Sequence, residues 1–334
     1  MAERDATDWN ENEIAELTAK VGALKTSMSG VIVGQDEVIE SLIICLLAGG
    51  HALVEGVPGL GKTLLVKSLA QATDMHFRRV QFTPDLMPSD IVGTEILEED
   101  TSTRQRVFRF QQGPVFTQVL LADEINRAPP KTQSALLEAM QERSVTFAGQ
   151  THRLPQPFFV LATQNPIEQA GTYPLPEAQL DRFLLRIDVG YPSEDEEMAM
   201  VARTTHAALA EARQVMDVAS LLRLQMLVRD IEIGEHLLRY CTRLVRATRP
   251  QGSTVPAVLK HVGWGAGPRA GQALVLASKA RALMHGRLAV TREDIGAMLL
   301  PVLAHRVLRN FEAEADGVAI ADILKALRNE IGVD

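Results

Sequence analysis

Residues 52 to 72 read ALVEGVPGLGKTLLVKSLAQA: a short apolar run, a glycine-rich turn, then apolar residues at helical spacing. The turn, GVPGLGKT from Gly56 to Thr63, matches the phosphate-binding pattern G-x-x-x-x-G-K-[ST] at every position. The chemistry requires these residue types. Glycines let backbone N–H groups close around phosphate oxygens, and the following helix turns its positive end toward the anion. Lys62 adds a point charge for the β- and γ-phosphates, and the Thr63 hydroxyl is a ligand for Mg²⁺. A chance glycine-rich turn between strand and helix is the bland alternative, and the strand ALVEG before it and the helix TLLVKSLAQA after it argue against that.

A second stretch needs the first to make sense. QVLLADEINRAPP, residues 118 to 130, is an apolar run that ends in two adjacent carboxylates, Asp123 and Glu124. Charge at the end of a buried strand is costly unless solvent or a cation meets it. Taken alone, the pair could be a helix cap with a solvated neighbour. Downstream of an intact phosphate loop, the expectation is a strand beside the one feeding the loop. Asp123 would then hold Mg²⁺ through its water shell, and Glu124 would polarise the attacking water as a general base.

The alternation continues outward from these two stretches. HALVEG, FRRVQF (77–82), VLLADE (119–124), FFVLAT (158–163) and LLRIDV (184–189) read as strands, separated by helical patterns such as KTQSALLEAMQE. This predicts an α/β domain, a five-stranded parallel sheet covered by helices on both faces. Helical spacing also precedes it, in NENEIAELTAKVGALKTSM and in SGVIVGQDEVIESLIICLLAGG. Two segments break the pattern as hairpins: residues 94–110 around a charged tip, and SVTFAGQTHRL (144–154) turning near Gly149. After GYPSEDEE (190–197) only helical patterns are predicted. The expected division is therefore a nucleotide-binding domain over 1–190 and an all-helical domain over 191–334.

Composition narrows the classes. Thirty-four Lys and Arg against 42 Asp and Glu give a formal charge of −8, which disfavours a broad nucleic-acid surface but not a local basic loop. The opening MAERDATDWNENE is acidic and polar where a leader needs a basic start and an apolar run. No apolar run nears the roughly 20 residues that span a bilayer, so no membrane insertion and a cytoplasmic location are expected. Cys45 and Cys241 lack the paired spacing of a zinc site and read as buried thiols.

GVPGLGKT, LLADEINRAPPKTQSALLEAMQE, ATQNP and GTYPLPEAQLDRFLLR together resemble the MoxR family of AAA+ ATPases, over nearly the whole chain from VGQDEV onward. The resemblance implies an AAA+ core followed by a helical lid, with ATP and Mg²⁺ bound at the hinge between them. The loop from Pro58 through Gly59, Leu60, Gly61, Lys62 and Thr63 to Leu64 would cradle the phosphates, with Gly34 in VIVGQDEV beside the adenine. Asn165 matches the sensor 1 position, although an Asn before Pro is by itself a turn residue. Arg182 matches the arginine finger that reaches a neighbour's nucleotide; its local alternative is an ion pair with Asp181 or Glu177. Arg269, in GAGPRAGQAL, matches the sensor 2 arginine, expected to contact the γ-phosphate so that hydrolysis shifts lid against core. The family commonly has Ser before that Pro, where this chain has Gly267. The two hairpins match the helix 2 insert and the pre-sensor 1 hairpin, which face a pore or partner.

What the resemblance implies for assembly is a homo-oligomer, a ring of six. For use, it implies chaperone-like remodelling or activation of a protein client, often one with a von Willebrand factor A domain. Two alternatives stay open from sequence: a nucleic-acid motor of the same clade, which includes MCM helicases, and a slow nucleotide-dependent switch or scaffold.

Overall fold

The computed structural model of the chain describes residues 9–57, 59–99, 106–165, 171–205 and 211–332. Pro58 and the tip of the first hairpin, residues 100–105, lie outside them. Two helices lead in: α1 (Glu11–Ser29), started by Asn10, whose side chain accepts from the Asn12 N–H, and α2 (Asp36–Leu47). The phosphate-loop unit is then β1 (Ala52–Gly56) and α3 (Lys62–Ala72). Next come β2 (Phe77–Gln81), α4 (Pro88–Val92), and the hairpin β3 (Gly93–Glu99) and β4 (Arg106–Gln112). β5 (Val119–Asp123), α5 (Pro130–Glu142), the hairpin β6 (Ser144–Phe147) and β7 (Gln150–Arg153), β8 (Phe159–Gln164), α6 (Glu177–Leu180) and β9 (Leu185–Val189) complete this part.

The sheet is five-stranded and parallel, in the order β2-β5-β8-β1-β9. Val119 to Ala122 of β5 are fully buried, as strands covered on both faces must be. One expectation is corrected here. The strand ending in Asp123 does not lie beside the strand that feeds the loop; β8 is inserted between them. The consequence is functional, because β8 delivers its own C-terminal residues between the loop and the two acids.

The remainder is α7 (Glu194–Thr204), α8 (Val218–Asp230), α9 (Glu235–Ala247), α10 (Pro256–His261), β10 (Val262–Trp264), α11 (Pro268–Met284), α12 (Arg292–Leu303), β11 (Leu308–Arg309), α13 (Phe311–Ala315) and α14 (Ile320–Glu330). It is not purely helical as expected: β10 and β11 form a small antiparallel ladder. α7 and α12 begin with capping boxes, Ser193 with Glu196 and Thr291 with Asp294. Asp294 is fully buried and accepts from Arg281 and Arg287 at 2.6 Å each.

The apolar interior falls into two clusters. One joins α1, α2, α3 and one face of the sheet to α8, α9, α11, α12 and α14, so the helical part shares a core with the sheet. The other lies under α4, α5 and the hairpins. The hairpins are locked together by aromatic contacts: Phe110 of β4 stacks on His152 at 4.4 Å and on Phe147 at 5.1 Å. Both cysteines are buried thiols, and burial pushes Cys241 up to about 12.

His51, immediately before β1, ties this fold to pH. Its Nδ1 accepts from the Val160 N–H at 3.1 Å, and its Nε2 lies 3.3 Å from the Met140 carbonyl, an arrangement for the neutral ring alone. Burial pushes its pKa down to about 4 from 6.5; the Met140 hydrogen bond opposes this and the charge of Arg143 reinforces it. A group depressed on folding stabilises fully above its unfolded value and loses that contribution as pH falls through the folded one. The window is therefore pH 6.5 down to about 4, and at most about 3 kcal/mol is at stake. Urea unfolding at pH 7 and 4.5 should show the wild type losing more stability than His51→Gln across this range. Coincident pH dependences would contradict the assignment.

Candidate functional site

The loop after β1 has the backbone geometry of an anion cradle. Gly59 and Gly61 have φ of 89° and 72°, the left-handed region that side chains resist, and a Cβ on either would meet nothing within 4 Å. Gly61 is the N-cap of α3, and no side chain caps that helix. Its first-turn N–H groups thus have no intrahelical acceptor and face outward with the positive end of the helix dipole. Gln35, buried, donates to the Leu60 carbonyl at 3.1 Å and steadies the loop from the VIVGQDEV segment. Within that segment Gly34 has φ of 69°, and a Cβ there would come within 2.6 Å of the Glu196 side chain. The close approach of α7 requires glycine.

A cavity of about 300 Å³ brings Gly59, Gly61, Lys62 and Thr63 together with Asp123, Glu124 and Asn165. The two acids are held in place before any ligand arrives. Thr163 of β8 donates its hydroxyl to Asp123 Oδ1 at 2.6 Å and accepts the Glu124 N–H at 2.8 Å. Arg79 pairs with Asp123 Oδ2 at 2.7 Å. Glu124 has φ of 56°, a strained backbone for a non-glycine residue, and its Oε2 accepts from Gln81 at 2.6 Å and Arg127 at 3.0 Å. Lys62 bonds the Gly56 carbonyl. Burial pushes the Lys62 pKa down while Asp123 and Glu124 pull it back up, so an added anion would stabilise its charge.

These donors fit Mg²⁺ held with a nucleotide. One carboxylate and one hydroxyl, Asp123 and Thr63, are too few for a metal held by protein alone, and among the described residues no group of three or more acids, histidines or cysteines could hold one. That is the pattern for an ion bound chiefly through phosphates and water.

The structure does not bring Arg182 and Arg269 to this cavity. Both line a second one of about 280 Å³ with Arg143, Arg229, Arg306 and Asp181, beside Gly50 and His51. Those residues precede β1, whereas the phosphate loop follows it. Five strand residues span about 17 Å, so the two cavities open at opposite edges of the sheet. Arg182 pairs with neither Asp181 nor Glu177; its Nη1 donates to the Leu137 carbonyl at 2.6 Å, and among the described residues its buried Nε has no partner. Arg269 stands in the first turn of α11, whose N-cap Gly267 offers no side-chain acceptor where a serine would. Of the other loop residues, Leu60 is buried, Leu64 is exposed, and Pro58 is outside the described residues.

Comparison with known proteins now bears on this geometry. Residues 51–185 match the family described as ATPase family associated with various cellular activities (AAA), and residues 257–327 match the AAA lid domain. Chaperone MoxR1 of Mycobacterium tuberculosis is 44% identical over 91% of this chain and 80% of its own. The chain belongs to the MoxR family of AAA+ ATPases. Protein MoxR of Paracoccus denitrificans is 34% identical over 89% of this chain and 91% of its own. A candidate ATPase from Cytophaga hutchinsonii, solved by crystallography, superposes with a TM-score of 0.89 at 40% identity, covering 96% of this chain and 97% of that one. The AAA+ fold with its lid is thereby established for this MoxR-family chain.

Sequence reading missed Thr163, Arg79, Gln81 and Arg127, which hold the MoxR acid pair. The i, i+2 spacing of Arg79 and Gln81 places them on one face of β2, a signal that gains meaning only once β2 is known to flank β5. Thr163→Val strands both the Asp123 carboxylate and the Glu124 N–H. It should lower unfolding free energy in urea by about 2 kcal/mol, with Thr163→Ser near neutral. A valine variant as stable as wild type would remove Thr163 from this role.

Proposed function

We propose that the chain binds ATP with Mg²⁺ in the Gly59–Thr63 cradle and hydrolyses it within a ring of like subunits, using the motion to remodel or activate a protein client. The observation that carries this reading is the separation of the two cavities. One holds the cradle and the acids, and the other, at the opposite edge of the sheet, holds Arg182 and Arg269. Arginines that cannot reach their own subunit's loop are placed to meet a neighbour's nucleotide, which a heterologous ring supplies. Six subunits is the number the family implies.

In this reading Thr63 and Asp123 would hold Mg²⁺, which when bound would supply charge neutralisation at the phosphates. Lys62 exchanges the Gly56 carbonyl for phosphate oxygen. Asn165 and Glu124 hold the attacking water, and Glu124 accepts its proton after Gln81 or Arg127 releases Oε2. Arg182 and Arg269 of the next subunit stabilise the transferring phosphoryl group. Arginine of this kind contributes on the order of 10³-fold or more, so an isolated subunit is nearly idle. The division at residue 190 makes 1–190 the nucleotide-binding domain and 191–334 the lid.

A protein client, on family grounds one with a von Willebrand factor A domain, is favoured over nucleic acid by the first hairpin. Leu97 and Phe108 face each other across β3 and β4 and are 51% and 72% exposed, an apolar pair suited to a polypeptide and not to a phosphate backbone. Among the described residues no helix is long and apolar enough to cross a membrane.

Steady-state turnover with Glu124→Gln tests the enzyme reading. The variant should fall on the order of 10²-fold or more while still binding ATP, and should retain the client in a pull-down. Equal turnover would leave only the switch or scaffold, and DNA-stimulated turnover would favour the motor.

A further inference from the structure

Arg182 sits in a turn that its own side chain barely fixes, and a side chain from the lid fixes that turn instead. Arg306, three residues past the end of α12, is 8% exposed. All five of its guanidinium N–H bonds are matched by contacts. Nε donates to Asp181 Oδ1 at 2.7 Å. Nη2 donates to the carbonyls of Asp181 at 3.3 Å and Phe183 at 2.6 Å. Nη1 donates to the carbonyl of Leu184 at 3.1 Å and to that of Val302. Four of these five acceptors flank Arg182. His305, also buried, adds a 3.1 Å contact from Nε2 to the Phe183 carbonyl.

A buried cation is a poor choice for stability alone, since desolvation opposes it. Here it satisfies carbonyls of the short irregular segment between α6 and β9. Lysine could not replace it, having three donors and no planar fork. The segment it grips leads directly into β9, and Leu184 N–H bonds the His51 carbonyl, so the turn is held from lid and sheet at once.

We propose that Arg306 is the positioning residue for Arg182, coupling the lid of one subunit to the arginine it offers the next. Lid movement in a subunit displaces the Asp181–Leu184 turn through these bonds and with it the finger. Glu196 of α7 packs against Gly34, next to the Gln35 that steadies the phosphate loop, so the nucleotide state of one site reaches the adjacent site through the lid. This rests on the reading of Arg182 as acting on a neighbour, and the experiment separates the two claims.

Full-length Arg306→Lys and Arg182→Ala are each assayed alone and in equimolar mixture with Lys62→Ala, whose subunits offer an intact Arg182 but no nucleotide grip. Alone, Arg306→Lys should lose on the order of 10²-fold in kcat with KM for ATP within about twofold. In a randomly mixed ring about one site in four joins a competent cradle to a competent finger, so both mixtures should regain turnover toward about a quarter of wild type. Regain with Arg182→Ala but not with Arg306→Lys, or full turnover of Arg306→Lys alone, overturns the role of Arg306. Regain with neither overturns the neighbour reading and the inference together. Asp181→Ala removes only the side-chain acceptor of Arg306 Nε, and it carries the same test if Arg306→Lys does not fold.

Discussion

The capless start of α3 and the acid pair at the end of β5 face one another across a small cavity, and each lacks what the other cannot supply. The helix end offers backbone N–H groups and partial positive charge; the strand end offers two carboxylates. An anion alone would suit the helix and repel the acids, and a cation alone would do the reverse. A polyphosphate carrying a divalent ion satisfies both. Arg79, Arg127, Gln81 and Thr163 hold the acids apart and oriented in the meantime.

Sheet topology decides which residues share this cavity. Parallel strands put all their C-terminal ends on one edge, so β1, β5 and β8 deliver the loop, the acids and Asn165 to the same place. The same rule sends residues that precede the strands to the other edge. There the arginines collect, with Asp181 as the acid among them, and Asp181 is already engaged by Arg306. A chain built this way carries two clusters of opposite chemistry, and sheet and lid share one apolar core beneath them.

Features written in local sequence were legible. The phosphate loop has a spacing pattern, the β5 strand has four apolar residues before its acids, and the hairpin foreseen near Gly149 turns there, with Ala148 and Gly149 at positive φ. Features created by strand order were not. Nothing in VLLADE says that β8 will stand between it and β1, so neither Thr163 nor Arg79 could be connected with Asp123. β10 and β11, three and two residues long, are too short for any alternation to register. Arg306 lies 125 positions from Asp181, in a stretch that by periodicity reads only as the end of a helix. The placement of Arg269 was also beyond sequence, because a motif names a residue without saying whose nucleotide it faces.

The direct test of the central claim is a structure of the assembled protein with Mg²⁺ and a non-hydrolysable ATP analogue. The triphosphate should lie against the N–H groups of Gly61, Lys62 and Thr63, with Asp123 and Glu124 facing its γ end and Arg182 and Arg269 arriving from the adjoining subunit. Analogue bound elsewhere with this cavity vacant, or with the two acids turned away from it, would contradict the account.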